Sequence, residues 1–503
     1  MADASFYALL RARLRAAPDQ PALELPGGRR FTRGEIDAAA GRYATVLLAR
    51  GARRGDRVAF QVEKSPEALI LYLACLRAGL IALPMNPAYQ ESEVAHILGD
   101  AAPAVYVGHP RWAERFGHGV PIVLTLDADG RGSLLAAADG VAEASPVAAA
   151  PSDIAAMLYT SGTTGRPKGA PLSHANLASN ASVLVEAWEM TERDVLLHAL
   201  PIFHAHGLFV AAHTALLAGA LMLWLPRFDA AAVLALLPRA TVMMGVPTFY
   251  TRLLDEPGLD AACCRNLRLF VSGSAPLSAE TWHAFERRTG HRILERYGMS
   301  EILMHTGNPL HGERRPGTVG VPFKGSAVRI VDDAGRDLPA GAVGQVLVKG
   351  PNVFAGYWRR EERRAEDFVD GWFRTGDLGK LSADGYLTLV GRAKDLVITG
   401  GLNVYPSEVE AVIDELPGVV ESAVVGLPHR DLGEAVTALV RPAAGTQPPD
   451  ERAVIAHCKQ RLAGYKVPKR VLFVAELPRN SMGKVQKALL RETYAGLFQG
   501  ALP

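Results

Sequence analysis

The sequence predicts an α/β protein with a large multi-lobed N-terminal part and a smaller α+β unit at its C-terminal end. Three observations predict it. Short apolar runs alternate with helical-period segments up to about residue 310, which implies parallel α/β subdomains with helices on the sheet faces. Residues 318–390 change to short strands between Gly, Pro and Asp turns, the pattern of a small antiparallel or β-barrel-like lobe. From about residue 392, helix and strand signals resume as a separate unit.

Each element has a local reason. Thr32-Arg33-Gly34-Glu35 fits a capping box; Ile36, Ala40, Tyr43 and Leu47 follow at helical spacing, and Gly51 suits the C-cap. A strand is expected at 58–62. Ser65-Pro66-Glu67 then opens a second helix with proline at N1, and Gly79 lies past its end. Further strands are expected at 104–107 and 122–126. The Ala-, Gly- and Asp-rich stretch 128–152 reads as a surface linker. An apolar strand at 154–158 restarts the alternation. Residues 209–225 are almost wholly apolar, near the lower limit of roughly 17 residues for a membrane span, and read as a buried helix and strand around Gly219. The small lobe has strands at 328–331, 344–348 and 386–390. In the terminal unit a strand at 396–398 precedes a helix from Pro406 to Leu416. A strand at 419–425, a loop at 442–449 and a helix at 451–462 follow.

Composition excludes several classes. Hydrophobic residues are 49% and charged residues 21%, which rules out a wholly disordered chain. A net charge of +2 argues against a protein held mainly by nucleic-acid phosphates. Cys75, Cys263, Cys264 and Cys458 lack CxxC spacing, so neither a zinc site nor a disulfide framework is indicated. The Ala/Arg-rich N-terminus carries Asp3 and no clear cleavage site, and reads as the first helix of a cytoplasmic protein. Lysine is scarce, 11 against 43 arginines, so each lysine position carries information.

The strongest chemical signal is YTSGTTGRPKG, residues 159–169, directly after the strand at 154–158. Its glycines allow close backbone approach, its hydroxyls add donors and Lys168 adds a cation, so the loop can wrap a polyphosphate. It is not a Walker A loop, because the lysine comes too late and a glycine follows it. Further along stand RYGMSE (296–301), FRTGDLG (373–379), GRAKDLVITGGLNVYPSEVE (391–410) and PRNSMGKV (478–485).

With these five motifs in order, the sequence resembles the adenylate-forming superfamily of acyl-CoA synthetases, luciferases and peptide-synthetase adenylation domains. The resemblance covers nearly the whole chain, and it implies a division into residues 1–391, holding ATP and the acid, and a mobile unit 392–503 hinged at Lys394. It implies ATP, Mg²⁺ and coenzyme A. Thr160, Ser161, Gly162, Thr163, Thr164, Gly165 and Lys168 would take the phosphates. Gly273, Ser274, Ala275, Glu295, Arg296, Tyr297 and Ser300 would surround the nucleotide, with Tyr297 stacking on adenine; Ser300 stands where threonine is usual. Asp377 would hold the ribose with Arg392 assisting. Thr160 and Glu301 would hold Mg²⁺, and Lys484 would supply the charge for adenylation. Gly400 and Gly401 would border the pantetheine tunnel. Lys484 is also the position that lysine acetyltransferases and deacetylases act on in such enzymes.

The acid is the finer question. HALPIFHAHGL (198–208) and GVPTFYTRL (245–253) match the acyl-pocket segments, and with LFVSGSAPL and ERYGMSEILMHTGNP they resemble the malonyl-CoA synthetase branch. That resemblance implies malonate, and often methylmalonate. It places the distal carboxylate at Arg252 and His206, with His204, Ser272 or Ser274, and Met304 nearby; His206 counts among the catalytic residues. An arginine suits such a group through a bidentate pair. The alternatives are another short acid, an adenylation enzyme loading a carrier protein, or a P-loop ATPase or kinase. No nucleic acid and no membrane span is expected.

Overall fold

The apolar runs of the first 310 residues assemble into two sheets in this computed structural model, which describes residues 5–161, 167–399, 402–429, 431–443, 449–480 and 483–498. One sheet has six strands in the order Ile122–Thr125, Val105–Gly108, Arg57–Gln61, Ile81–Pro84, Ile154–Ser161 and Pro167–Ser173. Its first five strands are parallel and the last is antiparallel to its neighbour. The other has nine strands, with a parallel centre built from Leu294–Met299, Leu269–Ser272, Val242–Gly245, Val195–His198, Leu221–Trp224 and Pro21–Glu24.

The helix Pro66–Arg77 is buried at every residue, and one core cluster joins it to apolar residues of both sheets. The capping box at Thr32 and Glu35 is present, as is the Ser65 cap with proline at the start of Pro66–Arg77. The supposed linker holds a helix, Ser133–Ala138. It is tied down because Arg77, buried to 2% exposure, takes the Ala144 carbonyl at 2.7 Å and Glu143 at 3.2 Å. The 209–225 segment is a π-helix His206–Ala212, an α-helix His213–Ala218 and a strand Leu221–Trp224, with Gly219 turning the chain at φ +77°. Among the described residues no helix is long and apolar enough to cross a membrane.

The lobe that follows is a five-stranded antiparallel sheet. It sets Asp377 directly across from Arg392. The terminal sheet is built from Val397–Thr399, Leu402–Val404, Val419–His429, Gly433–Pro442 and Arg470–Phe473. Its helix Pro406–Ile413 ends earlier than expected, its strand from Val419 runs longer, and Arg470–Phe473 and Lys487–Thr493 were not foreseen.

The terminal unit lies against the nine-stranded half. A Cβ on Gly483 would come within 3.1 Å of the Thr248 hydroxyl. Arg479 is close enough to Arg252 for the two charges to repel, as are Asp414 and Glu280.

Candidate active site

The site forms where the parallel strands end at their carboxyl edges, the usual place for a ligand in open α/β sheets. Thr160 is in the last turn-ward part of its strand, paired in register with Lys168. Its hydroxyl donates to Glu301 Oε1 at 3.2 Å, and the Tyr357 hydroxyl donates to the same oxygen at 2.9 Å. Lys168 is buried, with its ammonium 4.9 Å over the Tyr357 ring. Glu301 is 3% exposed, and burial raises its pKa. A buried carboxylate with neutral hydroxyl partners favours a cation. No group of three or more His, Cys, Asp or Glu side chains among the described residues could hold a metal. That donor set fits Mg²⁺, which binds through one or two carboxylates together with phosphates.

Asp377 forms the second centre. Arg392 Nε stands 2.9 Å from one carboxylate oxygen, and the Tyr297 hydroxyl donates to the other at 2.5 Å. The cross-strand register explains the ion pair. Lys484 approaches from the terminal unit. Its loop is closed by reciprocal bonds with Asn480: the Asn480 amide donates to the Lys484 carbonyl, and the Lys484 amide to the Asn480 side chain, both at 2.9 Å. Solvent reaches the Lys484 side chain, but the surrounding cleft thins its hydration. Burial first, then the positive charges of Arg392 and Lys394, push its pKa down to about 8, against Asp377 and Asp395. Lys394 is exposed in the one-turn helix Ala393–Asp395.

The third centre is polar and buried. Arg296 is 3% exposed, and neither its Nε nor its Nη2 has a hydrogen-bond partner among the described residues. Burial pushes its pKa down to about 9. A Cβ on Gly273 would lie 2.3 Å from the Arg296 Cζ, so the guanidinium passes directly under that glycine. His204 and His206 are held neutral, first by burial and then by Arg296; His204 falls to about 4. His206 Nδ1 lies 3.3 Å from the Ser274 hydroxyl. His206 Nε2, His204 Nδ1 and Ser272 Oγ have no hydrogen-bond partner among the described residues. Ser274 adopts φ +74°, a conformation costly for a residue other than glycine and common at ligand sites.

Other expected residues fall as follows. Met304 is buried beside Gly298. Glu295 accepts from the Gly317 amide at 3.3 Å, and burial pushes its carboxyl up to about 8. Ala275 and Ser300 are half-buried. Arg252 lies exposed on the helix Pro247–Leu254, which buries Tyr250 and Leu253, and it stands close enough to Arg479 of the terminal unit for their charges to repel. Two residues beyond Tyr250 is about 200° around a helix, so Arg252 stands on the face opposite Tyr250, the side that meets the terminal unit. Gly162, Thr163, Thr164, Gly165, Gly400, Gly401 and the Ser161 side chain lie outside the described residues.

Glu301 bonded by Thr160 at the end of a strand, the Asp377–Arg392 pair and a lysine brought in by the terminal unit are the groups that the site assembles. The chain belongs to the AMP-binding enzyme family, whose pattern it matches over residues 10–358, with the family's C-terminal domain at 408–484. It is an acid–CoA ligase of the AMP-forming type. ATP-bound MatB from Rhodopseudomonas palustris is 51% identical and superposes with a TM-score of 0.94, covering 98% of this chain and 99% of that one. Feruloyl-CoA synthase from Amycolatopsis sp is 36% identical over 96% of this chain and 97% of its own. Malonate–CoA ligase from Arabidopsis thaliana is 35% identical over 88% and 79%.

Proposed function

We propose that the chain is an ATP-dependent malonate–CoA ligase, with methylmalonate as a second substrate. Malonate and ATP give malonyl-adenylate and diphosphate; coenzyme A then displaces AMP to give malonyl-CoA. The observation that carries this reading is the buried Arg296 guanidinium facing His206 without a carboxylate of its own. A distal carboxylate would accept from the guanidinium and from neutral imidazole N–H in a dry site, where charged hydrogen bonds are strongest. A feruloyl group would leave the same cation against an aromatic ring and unpaired, at a cost of several kcal/mol. MatB, a malonyl-CoA synthetase, supports the reading at 51% identity.

In the first step one malonate carboxylate oxygen attacks the α-phosphorus and the bond to diphosphate breaks. Lys484 offsets the charge that develops on the phosphate oxygens. Asp377 and Arg392 orient the ribose. Thr160 and Glu301 would hold Mg²⁺, which supplies charge neutralisation on the phosphates. In the second step the thiol sulfur attacks the carbonyl carbon, its proton leaves and AMP departs. The turn at Lys394 is the hinge on which the unit 392–503 exchanges these two tasks.

The test is AMP release over short mono- and dicarboxylic acids with CoA and Mg²⁺. Malonate is expected to lead. Arg296→Leu is expected to lower kcat/KM for malonate by at least 100-fold and for acetate by less than fivefold. Equal losses remove the guanidinium from the acid site. Arg252→Ala serves as the rim control: a malonate-specific loss there would move the distal carboxylate to the exposed arginine.

A further inference from the structure

Behind His206 lies a buried group that the reaction above does not use. Lys64 sits between the strand Arg57–Gln61 and the helix Pro66–Arg77, at the carboxyl edge of the six-stranded sheet. It is 9% exposed, and among the described residues no carboxylate is one of its hydrogen-bond partners. Its Nζ lies 2.8 Å from His198 Nδ1, donates to the His198 carbonyl at 2.8 Å, and stands 4.3 Å over the Trp224 ring. These partners belong to the other, nine-stranded sheet.

His198 in turn reaches the acid pocket. Its Nε2 lies 2.8 Å from the Gly207 carbonyl. A carbonyl only accepts, so Nε2 bears the hydrogen and Nδ1 is the acceptor that Lys64 meets. Burial pushes the Lys64 pKa well down; charged or neutral, Nζ has a hydrogen to give to Nδ1, and it thereby supports the tautomer that the Gly207 carbonyl requires. Gly207 is the residue after His206, at the start of a π-helix. It is clamped from the far side too, since a Cβ there would lie 1.9 Å from the Pro201 carbonyl oxygen. π-Helical turns are rare and are frequent at functional sites.

A lysine buried without a counter-ion is costly, and an apolar side chain of similar length would fill the same volume without that cost. What the apolar chain lacks is a donor for Nδ1. We propose that Lys64 is a positioning residue for the acid pocket: through His198 it fixes the Gly207 carbonyl, and thereby aims the His206 imidazole at the distal group of the acid. This rests on the acid-pocket reading given above.

The experiment compares Lys64→Met, the double variant Lys64→Met/His198→Gln, and wild type, with KM measured separately for acid and for ATP. Lys64→Met is expected to raise the malonate KM at least tenfold and to leave the ATP KM within twofold. Glutamine keeps an amide donor for Gly207 and has no tautomer to select, so the double variant is expected to recover most of the malonate KM. A malonate KM within twofold of wild type in Lys64→Met overturns the proposal. So does an equal rise in both KM values, or a double variant no better than the single. Should Lys64→Met not fold, His198→Gln against His198→Ala makes the same comparison: glutamine is expected to give the lower malonate KM, and equal values overturn the proposal. If the wild type ignores malonate, the functional reading fails, and the same KM comparison on the acid it does activate decides the role of Lys64 separately.

Discussion

Lys484 carries a charge that depends on pH within the working range. With its pKa pushed down to about 8, it is mostly an ammonium at pH 7 and loses that charge as the pH rises through about 8. Adenylation, followed as diphosphate–ATP exchange, is expected to fall along that limb; CoA transfer from preformed acyl-adenylate is expected not to. Lys484→Arg, if active, should flatten the limb, because a guanidinium stays charged. Lys484 and Glu301 were legible in the sequence because their motifs name them singly. Arg296 was legible only as part of a nucleotide motif. The missing signal was strand alternation: neighbours on a strand point to opposite faces. Glu295 turns to the Gly317 amide and Tyr297 to Asp377, so Arg296 between them must face the other way, to the histidines. Arg252 was singled out by its place after the Val-Pro-Thr turn and by the resemblance; helical phase sets it opposite buried Tyr250, on the side of the terminal unit, and the Arg252→Ala comparison decides its role.

At the scale of elements, turns and caps were the most readable features. The Thr32–Glu35 capping box and the Pro66 helix start rest on bonds within a few residues, so local sequence contains their causes. The helix Ser133–Ala138 was not readable, because the helix it packs on, Arg33–Ala49, is far away in sequence; the π-helix His206–Ala212 was not readable, because it is braced through His198 by Lys64, distant in sequence. The turn after Leu269–Ser272 has a sharper requirement. With Arg296 Cζ only 2.3 Å from where a Cβ would stand, Gly273→Ala must displace the guanidinium. It is expected to shift the malonate-to-acetate ratio of kcat/KM in the same direction as Arg296→Leu. A ratio unchanged from wild type would mean that the arginine gives way without leaving the acid.

At the scale of the molecule, the order of lobes was readable from changes in strand and turn pattern, whereas the contact between the terminal unit and the rest was not. That contact includes like charges. Burial, then Glu410 and Glu280, push the Asp414 carboxyl up to about 7 against a Ser422 hydrogen bond. The folded state thus binds a proton more tightly than the unfolded one, and stability from this group falls as pH rises from about 4 to about 7. Asp414→Asn is expected to raise Tm at pH 8 by a few degrees, the effect of ~1 kcal/mol on a domain of this size. The gain should vanish at pH 4, and calorimetry at both values checks it. The Lys64 contact works across a different seam, between the two parallel sheets. An acid pocket grafted from one relative into another by its lining segments alone, such as 198–208 and 245–253, would arrive without the strand-to-helix turn that braces it. If Lys64 acts as proposed, a graft into this chain that omits residues 57–66 exchanges the walls of the pocket but not its foundation, and substrate preference rests on both sheets together.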